Sequence, residues 1–255
     1  MGYTLAAMDT SVSLGVQFRV ASDQALLVYF ETSAKKSGAK AARLQNQITL
    51  ESHEQVRKLL RLIEAEPIAG VRNLHPAYCS VLIKFDALLL SHGALEETLR
   101  AYIERMKKVA LPKPRLVEIP VCYGGEFGPD LKSVAELHGM TPESAIELHA
   151  STTYRVYFLG FAPGFAYLGE LPEALVTPRL STPRRNVPAG SVGIAGSQTG
   201  VYPIATPGGW RLLGRTPTAM FRPDRAEMSL LAIGDRVRFV PISAAQFAKS
   251  KLENA

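Results

Sequence analysis

Gly160-Phe161-Ala162-Pro163-Gly164-Phe165-Ala166-Tyr167-Leu168-Gly169 opens a block that continues through Val187-Pro188-Ala189-Gly190-Ser191-Val192-Gly193-Ile194-Ala195-Gly196 and ends on Thr206-Pro207-Gly208-Gly209-Trp210-Arg211. Residues 160–217 hold half of the chain's 20 glycines and 8 of its 17 prolines. In a polar chain that density would mean disorder, but here Phe, Tyr, Val, Ile and Trp are interleaved throughout. Apolar side chains separated by residues that fix special dihedrals specify tight turns on a closed β scaffold. The block contains no His, Cys, Lys or Asp. Recognition by it must therefore fall to backbone groups, aromatic faces, hydroxyls, Gln198 and arginines.

Working outward, residues 117–123 and 152–160 read as strands ahead of the block. Between them Asp130 is placed to cap a short helix ending at Gly139, and Thr141-Pro142-Glu143 opens another with proline at its first position. Short strands follow at 191–195, 201–204, 210–213 and 236–240, separated by Gly/Pro turns. Many short strands with regular turn signals favour a barrel. Leu111-Pro112-Lys113-Pro114-Arg115 cannot continue a helix and marks a linker.

Ahead of the linker, residues 13–20, 25–30 and 80–85 read as strands. One helix is signalled by Ser52 with Gln55 as a capping box and by Val56, Leu59, Leu60 and Ile63 on one face. A second is marked by Leu95, Leu99, Tyr102, Ile103 and Met106, and residues 32–47 read as a loop or short exposed helix. The expected architecture is α+β. A small α/β domain spans 1–110 with an N-terminal extension, a β-barrel domain spans 116–245, and a tail spans 246–255.

The formal charge of +6 is spread along the chain and builds no basic stripe, which argues against a nucleic-acid partner. Cys79 and Cys122 sit in apolar contexts and are expected to be buried free thiols in a reducing cytosol. No signal-like start and no long apolar segment occurs, so a soluble cytoplasmic protein without a membrane partner is expected. There is no Walker A sequence, no dinucleotide fingerprint and no Gly-x-Ser-x-Gly elbow. The five histidines are scattered, so no metal site is expected. His149 closes the helix before the strand that delivers the block. It is either a helix-end histidine favoured by the dipole or a group that contacts ligand or handles a proton. Pro163-Gly164-Phe165 and Pro207-Gly208-Gly209-Trp210 place glycines beside aromatics, so exposed N–H groups can cradle an anion under a ring. Arg179, Arg184, Arg185, Arg211 and Arg215, against only Glu170 and Glu173, favour an anion-accepting groove.

Ile119-Pro120-Val121-Cys122-Tyr123-Gly124-Gly125-Glu126-Phe127-Gly128-Pro129-Asp130-Leu131, together with His149, Tyr154, the quoted block, Pro178-Arg179, Pro183-Arg184 and Gln198-Thr199-Gly200-Val201-Tyr202-Pro203, resembles the KipI family. Its members are also called the B subunits of 5-oxoprolinase, or allophanate hydrolase subunit 1. The likeness is dense over 116–242 and looser over 20–110, where Pro76-Ala77-Tyr78 and Phe85-Asp86 fit. Residues 1–22 and 32–47 lie outside the pattern, and Cys79 stands where a basic residue is expected. The resemblance implies a ferredoxin-like first domain and a cyclophilin-like β-barrel. It also implies work in a complex with two further subunits of a bacterial 5-oxoprolinase, a homologous C-type one and an A-type one. That enzyme couples ATP hydrolysis to the opening of 5-oxoproline to glutamate. ATP with magnesium would then be used at the level of the complex, with none held tightly by this chain and little activity expected from it alone. One member instead binds and inhibits a sporulation histidine kinase, and a carboxyltransferase-like or hydrolase subunit is the other alternative.

The candidate residues for binding the small anionic substrate are Phe161, Pro163, Gly164, Phe165 and Tyr167 on the first loop, then Gly190, Gln198, Thr199 and Tyr202, then Gly208, Gly209, Trp210 and Arg211. His149 is the candidate catalytic residue. The loops 160–167 and 208–211 are expected to line one groove.

Overall fold

The computed structural model describes residues 15–31 and 49–253. The expectations for the first fourteen residues, for residues 32–47 and for the last two residues of the tail lie outside the described residues. Backbone contacts divide the chain into two compact units that meet at Leu111 and Pro112.

The first unit contains β1 (Gly15–Ser22), β2 (Ala25–Glu31), α1 (Leu50–Ala65), β3 (Val71–Pro76), β4 (Ser80–Phe85) and α2 (His92–Arg105). Its four strands form an antiparallel sheet in the order β1-β2-β4-β3. Helix α1 buries Val56, Leu59, Leu60 and Ile63, the face that the helical period marks. Its start differs from expectation. Thr49 is the N-cap and accepts from the Ser52 amide at 3.1 Å, so the helix begins one turn before the Ser52–Gln55 box. Ser52 is fully buried inside the first turn instead of capping it. Strand β3 carries Arg72, Asn73 and His75 and is an edge strand with little burial, which is why no apolar pattern announces it.

The second unit contains β5 (Leu116–Tyr123), α3 (Leu131–Leu137), α4 (Pro142–Ser151), β6 (Thr153–Leu159), β7 (Ala166–Gly169), β8 (Arg184–Val187), β9 (Ser191–Ala195), β10 (Gln198–Val201), β11 (Thr206–Gly208), β12 (Arg211–Arg215), β13 (Arg236–Pro241) and α5 (Ala244–Glu253). Seven strands close into a barrel in the order β10-β7-β6-β13-β5-β12-β9, with β9 pairing β10 to complete the ring. Closure leaves no free edge. The pair β13 and β5 is parallel and the other ladders of the ring are antiparallel. Strands β8 and β11 form a separate two-stranded ribbon. The α+β class and the closed barrel thus agree with the expected architecture at that level. The strand expected at 201–204 lies earlier, at Gln198–Val201.

The barrel is filled by Ile119, Val121, Val156, Leu168, Val192, Ile194 and Val237, all essentially inaccessible to solvent. Full burial of such side chains stabilises by about 1.5–3 kcal/mol each. A second apolar cluster joins Phe165, Val187, Ala195, Tyr202, Trp210 and Leu212, so the Gly/Pro block has a small core of its own. Both cysteines are free and buried. Among the described residues no helix is long and apolar enough to cross a membrane.

Candidate functional site

Between β6 and β7 the chain turns back on itself. The Gly160 amide donates to the Phe165 carbonyl at 3.0 Å, and the Phe165 amide donates to the Ala162 carbonyl at 2.9 Å. Gly164 sits at φ +81°, buried against Met220 and Phe221, so its role is to let the turn pack. Phe161 is held at φ +70° with 61% of its surface exposed. An aromatic residue in the left-handed region costs roughly 1–2 kcal/mol, and the turn bonds on either side impose it. The outcome is a ring standing over an opening instead of one folded into the core.

The opposite wall is the segment 207–210. Three contacts hold it. The Leu180 amide donates to the Gly209 carbonyl at 2.8 Å, Arg211 Nε donates to the Pro178 carbonyl at 3.4 Å, and the Trp210 backbone bonds the Tyr202 phenol. Behind it, Asp130 spans two elements: Oδ2 accepts from the Leu212 amide at 2.7 Å and Oδ1 from Arg184 Nη2 at 2.7 Å. Arg184 Nη1 reaches the Trp210 carbonyl at 3.4 Å. The expected capping role of Asp130 is therefore corrected. It occupies the N-cap position of α3 with ψ −7° and makes no side-chain cap bond, because its carboxylate is spent on the barrel.

These walls enclose a cleft of about 260 Å³. Phe161, Phe165, Tyr167, Tyr202 and Trp210 surround it with edge-to-face contacts, among them Phe165–Trp210 at 5.5 Å and Phe165–Tyr202 at 5.4 Å between ring centres. Gly208 and Gly209 complete the far side together with Pro183 and Pro207. A Cβ on Gly208 would lie 2.5 Å from the Tyr202 hydroxyl oxygen, so only glycine allows that phenol to reach the wall. Arg179 is the one charged residue in the lining. Burial raises the phenols of Tyr167 and Tyr202. The Trp210 backbone bond lowers Tyr202 in part, and the Arg179 charge lowers both. Both stay protonated at neutral pH and can donate hydrogen bonds but not act as bases.

The structure thus brings together Phe161, Phe165, Tyr167, Tyr202, Gly208, Gly209 and Trp210. Pro163, Gly190, Gln198 and Arg211 lie outside the lining. Gly190 is at φ +81° against the Thr216 carbonyl. Thr199 is fully buried inside the barrel, where it cannot meet a ligand.

His149 is likewise excluded from the cleft. It is fully buried, stacked on Phe239 at 4.7 Å, with Nδ1 2.8 Å from the Tyr123 hydroxyl and Nε2 3.0 Å from Thr199 Oγ1. Thr199 spends its proton on the Gly193 carbonyl at 3.1 Å, so His149 Nε2 donates to Thr199 and Nδ1 accepts from Tyr123. Every partner is satisfied by the neutral ring, and burial lowers the imidazole pKa to about 3. The catalytic reading of His149 is corrected on these grounds: it is a core histidine. Arg179, expected only as one of five arginines favouring an anion-accepting groove, is the one of the five that lines the cleft. Its signal was the Pro178-Arg179-Leu180 stretch, whose flanking groups bond the 209–211 segment on either side.

A larger hollow of about 820 Å³ runs along α4 and β13, walled by Glu118, Glu143 and Glu147 with Arg238, which is paired to Glu118. It contains none of the expected site residues, and its carboxylates would repel an anion. The aromatic cleft does not suit a nucleoside triphosphate: pockets for drug-sized ligands run about 300–1,000 Å³, and one guanidinium faces this smaller space. Among the described residues no group of three or more His, Cys, Asp or Glu is placed to hold a metal ion.

The chain is thus a closed β-barrel domain with an aromatic cleft at its Gly/Pro loops, preceded by a small α/β unit, and its relatives define the family. The family described as carboxyltransferase domain, subdomain C and D, matches residues 16–231. A protein of Bacillus subtilis (strain 168), named as the B subunit of 5-oxoprolinase, is 44% identical over 218 residues, covering 80% of this chain and 91% of that protein. The protein of the same name from Escherichia coli O157:H7 is 47% identical over 203 residues, covering 78% and 89%. The crystal structure of TTHA0988 is 40% identical with a TM-score of 0.68. It covers 77% of this chain, which spans only 38% of that longer polypeptide. The chain belongs to the family of 5-oxoprolinase B subunits.

Proposed function

We propose that this chain is the B subunit of a bacterial ATP-dependent 5-oxoprolinase and contributes one wall of a shared active site that opens 5-oxoproline to L-glutamate. The observation that carries the reading is 44% and 47% identity along nearly the whole length of two proteins that bear that name. The cleft is consistent in size and chemistry. A lactam ring presents flat apolar faces to aromatic walls, with phenol donors within reach of its carbonyl oxygen. The partners are the homologous C-type subunit of the enzyme together with its A-type subunit, in the cytoplasm. ATP with its magnesium is engaged at the level of the complex, and the aromatic cleft of this chain is too small and too poor in cations to hold it.

A lactam is a resonance-stabilised amide, so the complex must both activate and position it. This chain's part is positioning. The ring is clamped between the 160–167 and 207–210 segments, and the aromatic walls keep bulk water from the bound face. With no base in the lining, proton transfer falls to groups of the partners. The second unit is read as a cyclophilin-like barrel, and the first as ferredoxin-like. The strand order β1-β2-β4-β3 with α1 crossing from β2 to β3 supports the latter, as a split β-α-β with β1 beside β2.

The test is 5-oxoproline-dependent ATP hydrolysis by the reconstituted mixture of all three polypeptides, with and without this chain. Turnover is expected to vanish on omission, and the isolated chain is expected to show little. Equal turnover without the chain would refute the reading.

A further inference from the structure

We infer that Arg179 is the anchor for the carboxylate of the substrate and so sets the selectivity of the cleft for an acid over its uncharged analogues. The inference rests on the proposed reading of the cleft as the substrate site. Five arginines crowd the Gly/Pro block, and the structure disposes of them differently. Arg184 is committed to Asp130 at 2.7 Å, Arg211 to the Pro178 carbonyl and Arg215 to the Ala189 carbonyl at 2.8 Å. Arg185 is exposed on β8 and outside the lining. Arg179 alone both lines the cleft and makes no ion pair among the described residues.

Its placement is built. The Leu180 amide bonds the Gly209 carbonyl, and the Pro178 carbonyl accepts from Arg211, so the residues on both sides of Arg179 are stitched to the far wall. The guanidinium is close enough to Tyr167 and Tyr202 to lower both phenols. Arg179 is exposed where it lines the aromatic cleft, and with no carboxylate paired to it among the described residues its fork is open to an anion entering from outside. Two anions are conceivable chemically, a carboxylate or a phosphoryl group. The geometry points to the carboxylate. One planar fork matches a single carboxylate bidentately, whereas phosphoryl groups are met by several donors, and the rest of the lining is aromatic, proline and glycine.

The experiment is steady-state kinetics of the reconstituted complex with Arg179→Gln, Arg179→Lys and Arg185→Gln. Arg179→Gln should raise KM for 5-oxoproline about 10- to 100-fold with a smaller change in kcat. Arg179→Lys should recover part of that loss, because it keeps charge but not the fork. Arg185→Gln, which removes the same charge nearby, should leave KM unchanged. Among the described residues the Arg179 side chain makes no ion pair that holds the fold, so circular dichroism melts of its variants should match the wild type. In the isolated chain, fluorescence of Trp210, the sole tryptophan, should respond to 5-oxoproline and far less to 2-pyrrolidinone or inorganic phosphate, and the response to the acid should be lost in Arg179→Gln. Unchanged KM in Arg179→Gln within a complex that needs this chain for turnover would overturn the inference while leaving the proposed function standing. So would a phosphate response stronger than the response to the acid. A complex indifferent to the chain would instead refute the function itself.

Discussion

At the residue scale, His149 shows how a histidine's position in the chain can mislead. It closes a helix next to the strand that carries the site, and both a structural and a chemical role follow from that position. Its neutral ring satisfies Tyr123 and Thr199 together, and desolvation holds its pKa near 3. In the unfolded chain the ring titrates near 6.5, so between about 6.5 and 3 the unfolded state binds the extra proton. Its contribution to stability is complete above 6.5 and is lost as pH falls, by up to ~1.4 kcal/mol per pH unit. Denaturant midpoints measured from pH 7 down to pH 4 should show this slope, and His149→Phe should flatten it. The same variant should cost about 1–3 kcal/mol by leaving the Tyr123 hydroxyl without its acceptor, yet KM for 5-oxoproline should stay near wild type. Gly208 is the converse case. A Cβ there meets the Tyr202 oxygen at 2.5 Å, so Gly208→Ala should raise KM at least tenfold while the melting temperature moves only a few degrees.

At the element scale, the strands legible in the sequence are those with an apolar run long enough to read. Strands β4, β5, β6 and β9 fall within a residue or two of expectation, because each carries consecutive buried side chains. Strands β3, β8 and β11 escape it. Arg184-Arg185-Asn186 and Thr206-Pro207-Gly208 show no alternation, and both form strands only because each finds the other. The two site loops are legible from their glycines and aromatics, and seven of the thirteen expected binding residues line the cleft. The other six lie outside the lining: a Gly/Pro motif marks the turns at Pro163, Gly164 and Gly190 without saying which side faces the cleft, and Gln198, Thr199 and Arg211 sit on strands whose facing the sequence does not show. Asp130 was read locally, as a cap, whereas its carboxylate acts across 82 residues of chain on the Leu212 amide. Asp130→Ala should cost about 3–5 kcal/mol, since it strands the Arg184 charge and an amide together. Thermal or urea unfolding checks it, and a loss under about 1 kcal/mol would contradict the clamp.

At the scale of the whole molecule, the barrel is a closed frame, and the cleft it carries has aromatic walls and one arginine but no base in its lining. In the proposed function the missing groups come from the partner subunits. The class of architecture was legible because closely spaced turns between apolar runs leave few alternatives to closure. The proposed partners rest on family resemblance alone, since no patch of composition names them. The most direct test is 5-oxoproline-dependent ATP hydrolysis by the full enzyme assembled with wild-type chain, with Gly208→Ala, or with no chain. Full turnover is expected in the first and a KM raised at least tenfold at preserved assembly in the second. No turnover is expected in the third. Wild-type KM in Gly208→Ala, or turnover that persists without the chain, would contradict it.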